Sequence, residues 1–214
     1  RLTDVTGVQT CALPIYGRIV GIAKGAGMIE PNMATMLSYT MTDVSIERDT
    51  LRQILKRVVE KTYNCISVDS DQSTSDTVVI MSSCLKPAVS PREFEDALLS
   101  VCSDIARDIV RNAEGTGHVI KVNVEGASDF NTARSIGKAI VNSPLVTTAV
   151  FGNDPNVGRL LSSIGDFAGN NGMELDTSSS TDSLVIALGG EVVFEKGSFR
   201  RSEERRVGKE CRSR

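Results

Sequence analysis

Thr35 is the residue with the most chemical potential in this sequence. It follows a loop punctuated by glycine and proline, KGAGMIEPN (Lys24–Asn32), and stands at the head of an apolar stretch. A threonine hydroxyl alone is a poor nucleophile. It becomes effective beside a base, and the free α-amino group of an N-terminal threonine is one such base. That arrangement requires a break between Ala34 and Thr35. Periodicity does not call for one, and on pattern alone Thr35 is an ordinary β-branched strand residue. Gly25 and Gly27 permit positive φ or the close approach of another group. Asp69, Asp71 and Asp76 sit in a polar turn, DSDQSTSD, but their spacing lacks the glycine and terminal glutamate of a calcium loop. A hydrogen-bonded loop that supports a site is the better reading, and no metal is expected. The single histidine, His118, cannot form a histidine-based metal cluster. Cys65, Cys84 and Cys102 lack CxxC spacing and are expected to be buried thiols. Asn153, Asp154 and Pro155 form a turn and helix start, with Asp154 as N-cap and Pro155 at the first helical position.

These residues need elements to hold them. Arg18–Ala23 is expected to be a short strand leading into the glycine-rich loop, and Thr35–Val44 a second strand. Apolar residues at helical spacing predict a helix over 47–62. Ile66–Val68 and Thr77–Ser82 suggest strands around the polar turn. Pro91 opens a second helix that ends near Gly115, with Phe94, Leu98, Val101, Ile105 and Ile109 on its apolar stripe. His118–Val124 alternates, so a strand is expected there. Asn131–Val141 is expected to be helical, Leu145–Phe151 a strand and Asn156–Phe167 a helix. Ser183–Leu188 and Glu191–Phe194 suggest a hairpin, and Asp176–Asp182 (DTSSSTD) a surface loop. Alternation of strands and helices implies an α/β fold, a layered sheet covered by helices.

The two ends stand apart. Residues 1–16 and 201–214 resemble translated sequencing-adapter DNA, and both are expected to be disordered. The tail is highly charged, with little apolar area to bury. The whole chain carries a formal net charge of −3, and the tail contributes +3 of that, so residues 17–200 carry −6. An acidic remainder argues against nucleic-acid binding, which depends on Lys and Arg neutralising phosphates. No apolar run approaches the roughly 18 residues of a membrane span.

Four ordered segments carry a family resemblance. They are KGAGMIEPNMATML (Lys24–Leu37), SVDSDQSTSDT (Ser67–Thr77), AEGTGHVIKV (Ala113–Val122) and SPLVTTAVFGNDPNVGRLLSSIG (Ser143–Gly165). Together they resemble the bifunctional ornithine acetyltransferase/N-acetylglutamate synthase family, also called glutamate N-acetyltransferase, over essentially all of 17–200. The resemblance implies the self-cleaving N-terminal-threonine acyltransferase fold of the ornithine acetyltransferase type. It also implies a division at 34/35: residues 17–34 would end the alpha chain, and residues 35–200 would be most of the beta, catalytic, chain. Glu30 departs from the small residue that many members carry at that position.

The implied chemistry is a double displacement. Autoproteolysis after Ala34 would free Thr35, whose own amine would be its base. Thr35 would take acetyl from N-acetylornithine and pass it to glutamate. Lys24 matches the family's loop lysine that helps hold the substrate, and Glu114 its substrate-contacting glutamate. Asn153, Asp154 and Asp76 would support the site. No cofactor is implied, although some members also accept acetyl-CoA as donor. The implied partners are the two small-molecule substrates and an N-terminal alpha chain, with alpha-beta pairs associating as dimers. Neither nucleic acid nor membrane is implied. The compartment would be the cytoplasm in a bacterium, or a mitochondrion or plastid in a eukaryote. The family's N-terminal part supplies oxyanion-hole donors, so this chain alone is expected to be inactive. Two other readings differ in class: a related self-cleaving amidase or aminopeptidase that gives its acyl group to water, and a non-catalytic truncated fragment.

Overall fold

The alternating run expected at Arg18–Ala23 is the centre of β2 (Gly17–Lys24). It pairs antiparallel with β1 (Val5–Leu13) on one side and with β3 (Leu37–Val44) on the other. β3 then runs parallel to β4 (Thr77–Lys86), which gives one sheet in the order β1-β2-β3-β4. This computed structural model describes residues 5–13, 17–27, 29–30, 36–71, 77–172 and 184–200. They fall into two units, Arg1–Lys121 and Val122–Arg214. That boundary is a matter of packing and differs from the covalent division expected at 34/35, which falls within the first unit. The expectation of disorder at 1–16 does not hold for Val5–Leu13. Its β-branched residues suit an extended edge, and pairing with β2 satisfies backbone groups on both strands.

Parallel neighbours need a crossover, and α1 (Arg48–Lys61) lies in the β3–β4 connection. Glu47 caps α1 by accepting from the N–H groups of Asp49 and Thr50, and these bonds hold its carboxyl below the usual range. α2 (Pro91–Arg111) starts at a capping box, in which Ser90 accepts from the Glu93 N–H and Glu93 reaches back to the Ser90 N–H. Such a box satisfies N–H groups that the first turn leaves without a helical partner. Its expected stripe is the buried one: Phe94, Leu98, Ile105 and Ile109 have at most 1 % exposure. α2 packs on β1 and β2 and against α1.

β3 inverts the usual alternation. Ser38, Thr40, Thr42 and Val44 face the covered side, whereas Tyr39 and Met41 are exposed. Two of these three buried hydroxyls find a partner. Ser38 hydrogen-bonds Tyr63 at 2.9 Å. Thr42 donates to the Arg18 carbonyl at 2.8 Å. Thr40 Oγ1 has no hydrogen-bond partner among the described residues. Burial pushes the Tyr63 hydroxyl upward and the Cys102 thiol to about 11. Cys102 is thus the buried thiol expected, but Cys65 and Cys84 are exposed. They lie in a short 3-10 turn after α1 and near the end of β4, away from the apolar faces.

The second unit holds α3 (Phe130–Val141), α4 (Pro144–Phe151), α5 (Val157–Asn170) and a small sheet of β5 (Ile186–Leu188), β6 (Glu191–Glu195) and β7 (Ser198–Phe199). The expected hairpin is present as β5–β6, with Val193 and Phe194 packed with Val157 of α5. Leu145–Phe151 is a helix, not a strand. A short apolar run looks the same in both states. Here Pro144 occupies the first turn, and the Thr148 hydroxyl donates back to the Pro144 carbonyl at 2.7 Å. His118–Val124 and Ile66–Val68 carry no strand assignment. Alternation predicts an extended backbone but supplies no partner for it. Ser183 and residues 176–182 lie outside the described residues, as does the tail 201–214. Among the described residues no helix is long and apolar enough to cross a membrane.

Two substitutions across one β2–β3 pair should act in opposite directions. Gly21 faces Thr40, and a Cβ on Gly21 would sit 2.5 Å from Ile105 Cδ1 and 3.0 Å from Val101 Cγ1. Gly21→Ala is expected to cost about 1–3 kcal/mol through overpacking. Thr40→Val removes the hydroxyl that lacks a partner at nearly constant shape, and should raise stability by up to about 1 kcal/mol. Denaturant unfolding of the first unit reads both.

Candidate active site

The connection between β2 and β3 is held from outside itself. Lys24 ends β2 with its side chain exposed, and Gly25 behind it is buried. The next residue, Ala26, accepts the Glu114 backbone N–H at 2.7 Å. Ile29 is bonded in both directions: its N–H donates to Asp69 Oδ1 at 2.9 Å, and its carbonyl accepts the Val68 N–H at 2.7 Å. Glu30 accepts from the Ser67 hydroxyl at 2.6 Å. On the far side, Met36 accepts the Thr77 N–H at 3.0 Å. Ile29 and Met36 are also core residues, 0 % and 1 % exposed. The loop is therefore tied to the sheet by apolar burial and to two other segments by backbone bonds.

Three of the four sequence segments that carry the resemblance contribute to this constellation. Gly27 lies at its centre. A Cβ there would stand 3.3 Å from Glu114 Oε2 and 3.7 Å from Asp69 Oδ2. Two carboxylates thus converge on one glycine, which leaves them room. Glu114 gets there from the end of α2. The helix stops at Arg111, Asn112 caps it, and Gly115 turns the chain with φ of 71°. A non-glycine residue would be strained at that angle. Glu114 presents its N–H to the loop and its carboxylate, exposed, beside Gly27.

Lys24 and Glu114 are accordingly brought to one loop, two residues apart along it. Ala34, Thr35 and Asp76 lie outside the described residues. Asn153 and Asp154 belong to the second unit. Asn153 takes a left-handed turn, φ 50°, after α4. Asp154 is not the N-cap expected. α5 begins at Val157, and Asn156 caps it by accepting the Arg159 N–H at 3.2 Å. The sequence offers two cap-forming side chains, and the nearer one takes the role. Asp154 instead accepts from the Asn156 amide at 3.1 Å, and Pro155 precedes the helix.

Sequence reasoning missed Ile29 and Ser67 as anchors of the loop. An isoleucine in an otherwise Gly- and Pro-rich stretch was the available signal, because loops seldom carry a large apolar residue without burying it. Anchoring by core and backbone leads to a contrast in stability. Ile29→Ala should cost about 2–5 kcal/mol, the range for emptying a buried aliphatic site. Glu114→Ala keeps the backbone bond to Ala26 and should change stability by less than about 0.5 kcal/mol. Thermal unfolding of the two variants side by side checks this.

Known proteins resemble this chain in sequence and in fold. The profile of the ArgJ family matches residues 6–213. Arginine biosynthesis bifunctional protein ArgJ 2 of Clostridium acetobutylicum is 45% identical over 181 residues, which is 85% of this chain and 45% of that protein. Glutamate N-acetyltransferase of Methanocaldococcus jannaschii is 50% identical over 153 residues, covering 69% of this chain and 38% of that protein. The chain thus spans less than half the length of these relatives. The crystal structure of arginine biosynthesis bifunctional protein argJ from Bacillus halodurans superposes with a TM-score of 0.72 at 33% identity, covering 84% of each chain. The α/β fold expected from the sequence is therefore the fold of that protein, and the chain belongs to the ArgJ family.

Proposed function

We propose that this chain carries the catalytic segment of an acetyltransferase of arginine biosynthesis, which moves acetyl from N-acetylornithine to glutamate through an acetyl-Thr35 intermediate. One observation supports it above the others. The loop that begins at Lys24 and precedes Thr35 in the sequence is bonded to Glu114 through Ala26, so residues bearing an ammonium and a carboxylate belong to one constellation. Such a pair suits a zwitterionic amino acid, with Lys24 toward its α-carboxylate and Glu114 toward an amine. Family membership supports the same substrates, since relatives bear the names glutamate N-acetyltransferase and arginine biosynthesis bifunctional protein.

Maturation comes first. The Thr35 hydroxyl oxygen attacks the Ala34 carbonyl carbon, the peptide C–N bond breaks, and the hydroxyl proton passes to the nitrogen, which is released as the amine. Ala34 is then esterified to Thr35. Water splits that ester, which leaves a carboxylate on Ala34 and a free amine and hydroxyl on Thr35. In turnover the amine of Thr35 takes the hydroxyl proton while the oxygen attacks the acetyl carbonyl of N-acetylornithine. The proton passes to the departing ornithine amine. The amine of glutamate then attacks the acetyl ester, N-acetylglutamate leaves, and the hydroxyl is restored. Splitting one transfer into two through a covalent intermediate lowers each barrier. Holding the substrate at both ends supplies orientation. The six pairs between β2 and β3 keep the two pieces together after the cut. Acetyl-CoA as a second donor, an alpha chain that completes the oxyanion hole, dimers of alpha-beta pairs, and supporting roles for Asp76, Asn153 and Asp154 belong to the same proposal. The loss of one oxyanion donor costs about 10²–10³ in rate, so this chain without that partner is expected to be inactive.

Intact-mass analysis of the full-length protein, with and without N-acetylornithine, tests the reading. The expected result is a break between Ala34 and Thr35, with one acetyl group on the piece that begins at Thr35. A folded but uncut protein would rule the mechanism out. Acetate as the product in the presence of glutamate would assign a hydrolase instead.

A further inference from the structure

We infer that Asp69 is a positioning residue for substrate binding: through Ile29 it sets the loop that carries Lys24 against Glu114. This rests on the reading of Lys24 and Glu114 as the substrate's two charge partners.

Hydrogen bonds hold the loop at several points beyond Lys24, among them Ala26 and Ile29, with Glu30 and Met36 further along. At Ala26 the partner is the backbone N–H of Glu114, and no side-chain change removes it. At Ile29 the N–H is held by a side chain, Asp69 Oδ1, at 2.9 Å. The same oxygen takes the Asp71 N–H at 3.3 Å, which orients the carboxylate. The neighbouring Val68 N–H binds the Ile29 carbonyl at 2.7 Å, so one short stretch grips both polar groups of a residue with 0 % exposure. Gly27, between the anchors, has the carboxylates of Glu114 and Asp69 on its open side. The grip at Ile29 therefore sets, together with the Ala26 bond, how the loop lies beside Glu114. If Asp69 lets go, the Ile29 N–H is left buried without its acceptor, and the loop must move to find another.

The separation of ammonium and carboxylate would then no longer match a substrate held at both ends. Loss of binding shared by ground and transition states raises KM and leaves kcat little changed. Asparagine retains Oδ1 as an acceptor, so Asp69→Asn separates the hydrogen bond from the charge.

The test uses the full-length protein, with N-acetylornithine as varied substrate and with hydrogen exchange of the loop followed in parallel. Asp69→Ala should raise KM about tenfold with kcat within about threefold, the signature of lost uniform binding. It should speed exchange at Ile29 while the unfolding midpoint of α2 and the sheet holds. Asp69→Asn should recover most of the KM. An unchanged KM in Asp69→Ala would overturn the inference, as would an equal loss in both variants. A wild-type protein that binds no N-acetylornithine would overturn the underlying reading as well, and the inference with it.

Discussion

Six residue pairs, from Ile19–Thr42 to Lys24–Leu37, join β2 to β3, and the first unit depends on them. β1 reaches the sheet only through β2, and β4 only through β3. A buried ladder is demanding because each N–H and carbonyl inside must find a partner. α2 packs on this ladder, and at Gly21 it comes so close that a Cβ would meet Ile105 and Val101. The long connection between the two strands cannot be a tight hairpin turn. Its described residues form no helix or strand, and they are held by Val68, Asp69 and Glu114. Ladder, close helix and borrowed order form a single arrangement: the strands supply the rigid base, and segments from elsewhere in the unit hold the irregular part still.

The helices of this protein were the most legible elements. α1, α2, α3 and α5 lie where apolar spacing put them, and Pro91 marks the start of α2 as expected. Long amphipathic periods carry their own evidence, because burial of the stripe decides the outcome. Short runs do not. Leu145–Phe151 is apolar on all sides and β-branched in places, and only its setting between Pro144 and α5 makes it helical. β3 shows a second limit. A strand with hydroxyls inward and Tyr39 and Met41 outward cannot be oriented by hydrophobic pattern, which would have chosen the opposite face. Val5–Leu13 is a strand through its backbone pairing with β2, which no hydrophobic period announces.

At the site, residue types were readable and mutual placement was not. Lys24 and Glu114 were singled out by the segments they lie in, ninety positions apart. That Glu114 meets the loop at Ala26 follows from where α2 stops and from the positive φ of Gly115. Neither can be deduced from the glycine-rich loop. Asp69 was read as part of a supporting loop, but its partner, the N–H of Ile29, is a backbone group and leaves no mark in sequence. Asp154 shows the converse: more than one cap-competent residue in a short stretch invites the wrong choice, and geometry settles on Asn156.

The bond from Glu114 to the loop is made by the main chain, and the carboxylate is left exposed beside Gly27. The bond that holds the loop and the exposed charge are thus separate properties of one residue. Any amino acid with an N–H can hold the loop, whereas only the side chain meets what approaches it. Substitution of this side chain therefore changes the exposed charge beside Gly27 while the main-chain bond that holds the loop remains.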